Sequence, residues 1–145
     1  MAGVQLVADL MTKEVVTLDA NDTLSVADDV MNLGRIRHTP VLDEDDRVVG
    51  LISQRDLFRG ALARALGYGE FAQKKLYGML HVKDVMTNDV LTTSPTTPLV
   101  DAAKIMTEKK IGCLIVVEGE RLVGILTESD FVRLVLTEES GEDLK

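Results

Sequence analysis

The sequence has no tryptophan, two tyrosines, three phenylalanines, three prolines and a single cysteine. With so few aromatics, the core must be aliphatic, drawn from the Val, Leu, Ile, Ala and Met that make up most of the 46% hydrophobic residues. A lone thiol, Cys113, cannot form an intrachain disulfide, so nothing requires an oxidising compartment. No stretch approaches the roughly 18 uninterrupted apolar residues of a membrane span. The opening MAGVQLVADLMTKE has neither the basic region nor the long apolar run of an export signal. These absences predict a soluble, cytoplasmic protein without a membrane partner.

Positive charge is also short. Sixteen Lys and Arg face 24 Asp and Glu, a formal charge of -8, which disfavours a nucleic-acid partner. There is no G-x-x-x-x-G-K-[ST] loop and no G-x-G-x-x-G. No nucleophile stands beside a base in the sequence. His38, His81 and Cys113 are the soft metal ligands, without close spacing, so neither a metal nor a catalytic cofactor is expected. The chain is expected not to be an enzyme.

An internal repeat is present instead. Asp9 to Leu42 aligns with Asp84 to Val117 at an offset of 75, and Arg47 to Arg59 aligns with Arg121 to Arg133 at 74. Fifteen of these 47 pairs are identical. The one-residue gap falls at DEDD against EGE, a turn, where length changes are tolerated. One copy is too small for a good core, so the two are expected to pack about a pseudo-twofold axis.

Each copy reads β-α-β-β-α, an α/β (α+β-like) fold. A D-[LV]-M-T opening forms a turn or short helical piece. A strand follows over Val15 to Leu18, and over Val90 to Thr93. Asp22 is expected to cap the first helix. In the second copy Thr97 caps and Pro98 takes the first helical position. Leu24, Ala27, Val30 and Met31 recur at helical spacing, as do Leu99, Ala102, Ile105 and Met106. Gly34 suits a left-handed C-terminal position. The strands His38 to Leu42 and Arg47 to Ser53 pair around a turn, as do Cys113 to Glu118 and Arg121 to Thr127. Their nearly continuous apolar runs suit burial on both faces. The expected division is a first unit over 6–62, a helical linker over 63–81, a second unit over 82–136 and a disordered acidic tail over 137–145. The segment joining the copies carries Tyr68, Phe71 and Tyr77. It reads as a helix over the core, or as an interface with a partner.

The motif G-h-h-[ST]-x-x-D (h apolar) closes each copy, as Gly50 to Asp56 and as Gly124 to Asp130. Two readings compete. Ser53 or Thr127 can be a helix N-cap, with Asp56 or Asp130 as its capping-box partner. Such a box usually takes Glu or Gln, and the shorter Asp reaches back less well. Alternatively, the Gly lets a ligand approach the backbone, and hydroxyl, carboxylate and free helix N–H groups bind a sugar and a phosphate. Arg55, in the first helical turn, could meet a phosphate; its counterpart Ser129 supplies no charge.

The paired D-x-M-T openings and G-h-h-[ST]-x-x-D closings, in this order and duplicated, resemble tandem cystathionine beta-synthase (CBS) domains, the Bateman module. The resemblance spans about residues 6–135. It implies an adenosine-containing ligand (AMP, ADP, ATP or S-adenosylmethionine) bound in clefts between the units as a regulatory ligand. It assigns ribose contacts to Asp56 with Ser53 and to Asp130 with Thr127. The base would meet Val16, Thr17, Thr39 and Pro40, or Leu91, Thr92, Leu114 and Ile115 in the second copy. Phosphates would meet Arg37 and His38, with Arg35 nearby. The second copy departs from this pattern, with Lys109 and Lys110 followed by Gly112 and Cys113, and Ile115 in place of the proline. The two clefts are therefore expected to differ. The resemblance further implies a homodimer, a disk of four units, acting on a separate regulated protein. The rival expectation is an interaction module with empty clefts.

Overall fold

The computed structural model describes residues 5–57 and 77–140. They fall into two compact units, one taking Met1–Val15 with Leu91–Lys145 and the other taking Val16–Val90. Arg59, Gly67, Gly69, Tyr68, Phe71 and most of the expected linker lie outside the described residues.

In the Val16–Val90 unit, β1 (Leu18–Asp19) runs parallel to β2 (His38–Leu42), which pairs antiparallel with β3 (Val48–Ser53). Helix α2 (Leu24–Gly34) connects β1 to β2. Its N-cap is Thr23, whose hydroxyl accepts from the Val26 N–H at 3.3 Å. The expected cap, Asp22, is engaged elsewhere. Its carboxylate accepts from the Asp19 N–H and its carbonyl from the Val82 N–H. Gly34 is the last helical residue, and the left-handed position belongs to Arg35, at φ 52°. Gly34 matters for space: a Cβ there would lie 2.7 Å from the Ile36 side chain. Leu24, Ala27 and Met31 bury the helix face against Leu18, Val41 and Ile52. The short helix α3 (Val82–Val85) completes this core through Val82.

The β2–β3 turn is built on Asp43, whose carboxylate accepts from the backbone N–H groups of Asp45 and Arg47 at 2.8 and 2.9 Å. The Arg47 backbone bond is the main reason that carboxyl sits below its ordinary range. Asp46 carries the positive φ of 59°. Tyr77, buried against the same core, donates its hydroxyl to the Leu57 carbonyl at 2.7 Å.

The other unit repeats the plan. β4 (Thr92–Thr93) is parallel to β5 (Cys113–Glu118), and β6 (Arg121–Thr127) is antiparallel to β5. Helix α4 (Leu99–Lys109) begins after Pro98, which is the N-cap itself and not the first helical residue. The Thr97 hydroxyl accepts from the Ser94 N–H and not from the helix. Lys110 takes the left-handed position. Helix α5 (Glu128–Ser140) extends into the stretch expected to be an unstructured tail. Its core joins Leu99, Ala102 and Met106 to Leu114, Val116 and Leu126.

Both first strands are shorter than expected and start later, at Leu18 and Thr92. Each has only two residues opposite a ladder partner. Val16, Thr17 and Leu91 therefore precede the strands.

The compact units do not follow the sequence repeats. Helix α1 (Val7–Leu10), from the first repeat's opening, packs with the second repeat's strands. Leu6 bridges Pro98 and Thr12 bridges Ile125, while Val7 and Leu10 are buried in that core. Helix α3, from the second opening, packs with the first repeat's strands, where His81 bridges Thr23 and Thr87 bridges Leu51. The Asp of each opening caps its own short helix. Asp9 accepts from the Leu6 N–H at 2.8 Å, and Asp84 from the His81 N–H at 2.9 Å.

Candidate functional site

Strand alternation sorts the candidate residues by face, because successive side chains point to opposite sides of a sheet. In β2, Thr39 lies opposite Ile52 and shares a face with Val41, the core side. His38 and Pro40 lie on the other face, opposite Ser53 and Leu51. In β5, Leu114 belongs to the core cluster. Cys113 and Ile115 lie on the opposite face, across from Thr127 and Ile125. The proposed base contacts are thus divided. Pro40 and Ile115 share a face with the motif hydroxyls, whereas Thr39 and Leu114 point to the core. Thr39 is fully buried, and its hydroxyl has no hydrogen-bond partner among the described residues. Val16 and Leu91, at equivalent repeat positions, are both exposed.

Asp56 and Asp130 are buried, at 8% and 4% exposure. Both make the capping interaction. The Asp56 carboxylate accepts from the Ser53 N–H at 2.7 Å and from its hydroxyl at 3.0 Å. The Asp56 N–H donates back to the Ser53 hydroxyl at 3.3 Å. Asp130 accepts from the Thr127 N–H at 2.9 Å and its hydroxyl at 3.3 Å. The shorter Asp therefore closes the box, because strand and helix meet without an intervening loop.

The motif glycines serve packing. A Cβ on Gly124 would lie 2.6 Å from the Met11 sulfur, and one on Gly50 would collide with the Met86 side chain. The approach that the missing Cβ permits is thus made by a methionine of an opening motif, not by a ligand. The sequence carries this signal as Met beside Thr in D-x-M-T, but read one copy at a time it is invisible.

Arg37 and His38 stand next to the first motif through the backbone. His38 pairs with Ser53, and the Arg37 carbonyl accepts from the Gln54 N–H at 3.0 Å. Arg37 and Arg55 are exposed. At the equivalent place the second copy has Gly112, whose carbonyl accepts from the Glu128 N–H, and Cys113. Burial pushes the Cys113 thiol up to about 12. Lys110 instead lines an open groove of about 440 Å³ with Met106, Ile111 and Phe131, on the helix side of that unit. None of the predicted base or ribose residues lines it. Arg133 pairs with Asp130 at 3.2 Å.

Comparison with known proteins gives this arrangement a family. The CBS domain model matches residues 7–63 and again 82–137. The chain belongs to the CBS domain family. A CBS domain-containing protein of Dictyostelium discoideum is 31% identical over 90% of this chain and 91% of its own length. A homoserine O-acetyltransferase of Methanococcoides burtonii is 34% identical over 89% of this chain, which spans only 24% of that enzyme. Among solved structures, a protein described as an acetoin utilization protein (AcuB), from Vibrio cholerae, aligns with TM-score 0.78 and 34% identity, over 97% of this chain and 99% of that one. The CBS domain pair of protein MJ0100, solved with 5'-methylthioadenosine and S-adenosyl-L-methionine, aligns at 0.77 and 27%, covering 94% and 99%. CBSX2 in complex with AMP aligns at 0.76 and 28%, covering 92% and 98%. As a CBS pair with two three-stranded sheets, the chain has the α/β fold expected. Among the described residues, no helix is long and apolar enough to cross a membrane.

Proposed function

We propose that this CBS pair is a regulatory module, not an enzyme, that binds an adenosine-containing ligand such as AMP, ADP, ATP or S-adenosylmethionine. The observation that carries this reading is the composition of one sheet face in the Val16–Val90 unit. His38, Pro40 and Ser53 share that face, with the Asp56 carboxylate at the helix start that follows. An apolar ring wall, a hydroxyl, a buried carboxylate and neighbouring cations at Arg37 and Arg55 match the base, sugar and phosphate of a nucleotide. The AMP complex of CBSX2 and the S-adenosylmethionine complex of MJ0100 support that ligand class. A ligand acts only by favouring one state over another, and here the responding state is a homodimer or a separate regulated protein.

Thermal unfolding of the full chain with AMP, ADP, ATP and S-adenosylmethionine tests this. A ligand at 100 times its Kd stabilises by about 2.7 kcal/mol, which moves Tm by a few degrees. Asp56→Ala should lose that shift. No shift with any of the four at millimolar concentration rejects the reading. The weight would then pass to an interaction module without a nucleotide, which the self-satisfied capping boxes favour.

A further inference from the structure

The Leu91–Lys145 unit carries aliphatic side chains that its own core does not use. Val132, Val135 and Leu136 of α5 are 62%, 61% and 63% exposed, and Val100 of α4 is 65% exposed. The three on α5 are spaced by three and four residues, so they share one face of the helix. Phe131 and Leu134 pack against the core from its other side. An exposed apolar face of this kind marks an interaction site.

That face runs into the open groove between α4 and α5. Ala103, Thr107 and Lys110 line the groove on the α4 side, and Glu128 and Phe131 on the α5 side. Val132 and Val135 stand one turn beyond Glu128 and Phe131, and Val100 stands one turn before Ala103. One unit therefore presents apolar knobs beside an apolar hole, with a cation and an anion on the walls of the hole. A surface that is its own complement is what a twofold interface requires, because residue i then meets residue j of the second copy and j meets i. The rotation sets Lys110 of each copy against Glu128 of the other.

The row of α2 that aligns with Val100, Ala103 and Thr107 is polar, with Ser25, Asp28 and Asn32. The Asn32 side-chain amide donates to the Asp28 carboxylate at 3.2 Å in solvent. Aliphatic side chains laid on that row would cost the carboxylate its hydration. The complement to the Leu91–Lys145 face is thus the same face of another chain, not the α2 row.

We infer that two copies of this chain associate like on like through their Leu91–Lys145 units, the α5 face of each in the groove of the other, with two Lys110–Glu128 pairs across the dyad. This names the surface of the homodimer in the proposed function and rests on that part of the reading, not on its ligand.

Sedimentation velocity of the full chain, without nucleotide, tests it. The wild type should sediment as a dimer at micromolar concentration, and Val135→Glu as a monomer with unchanged circular dichroism. A wild type that stays monomeric up to millimolar concentration, or a Val135→Glu chain that remains dimeric, overturns the inference. Lys110→Glu alone and Glu128→Lys alone each set like charges together at both pairs, and each should weaken the dimer by at least about tenfold. An equimolar mixture of these two variants should restore it, because unlike charges meet again at both pairs of a mixed dimer. A mixture that fails to recover shows that another face makes the contact, and it overturns the inference even where Val135→Glu fails to fold. The AMP-dependent Tm shift is read separately, so a chain that dimerises this way without responding to AMP fails the ligand reading and supports the interface.

Discussion

Met11 covers Gly124 closely enough that a Cβ on that glycine would lie 2.6 Å from the methionine sulfur. Met86 and Gly50 repeat the relationship in the other unit. The two signature motifs of the sequence are therefore one device: the methionine of an opening fills the space left by the glycine of a closing.

Gly124→Ala should accordingly destabilise the chain by about 1–3 kcal/mol, the usual cost of overpacking a filled core. Met11→Ala in the same chain should relieve the collision, so the pair will couple in a double-mutant cycle. Urea unfolding measures both. Strict additivity would show that the two side chains do not compete for that space.

Thr39→Val should raise stability by about 1 kcal/mol. The substitution keeps the shape of the side chain and removes a buried hydroxyl without a partner among the described residues, and an unsatisfied buried group is costly. A loss of stability in urea would place a bonded water or ligand at that hydroxyl. AMP affinity measured in the same variant tests the base contact expected of Thr39, which the core-facing orientation argues against.

Cys113 should resist alkylation in the folded chain at pH 8. Burial holds its thiol near 12, against 9.0 for an exposed thiol. The fold thus favours the neutral form. That stability is fully present below pH 9 and is lost as pH rises from 9 towards 12. Labelling should track unfolding. Rapid modification under native conditions would contradict the burial.

Tyr77→Phe should cost about 0.5–1.5 kcal/mol, the range for one hydrogen bond, through loss of the 2.7 Å bond to the Leu57 carbonyl. Thermal unfolding measures it. Because Tyr77 also packs in the core, Tyr77→Ala should cost several times more.

Much of the fold was legible in the sequence because the signal is periodic and duplicated. His38–Leu42, Cys113–Glu118 and Arg121–Thr127 are strands with the ends expected. Helix ends were off by one residue because capping is decided by competition. Asp22 is drawn to Asp19 and its place passes to Thr23. The face of each strand residue was hidden by apolar runs too continuous to alternate, so Thr39 and Pro40 looked equivalent although the pleat separates them. The partner of each opening motif was hidden for a different reason. Aligning the copies relates Met11 to Met86, whereas packing relates Met11 to Gly124, more than a hundred positions away.

That exchange of openings makes each repeat an incomplete folding unit. A single cut between residues 58 and 76 would release two fragments, each carrying the helix that finishes the other's core. Co-expressed, the halves should reconstitute the native fold as a split protein, while either half alone would expose its strands and aggregate. Each repeat thus depends on the other's opening helix to complete its core.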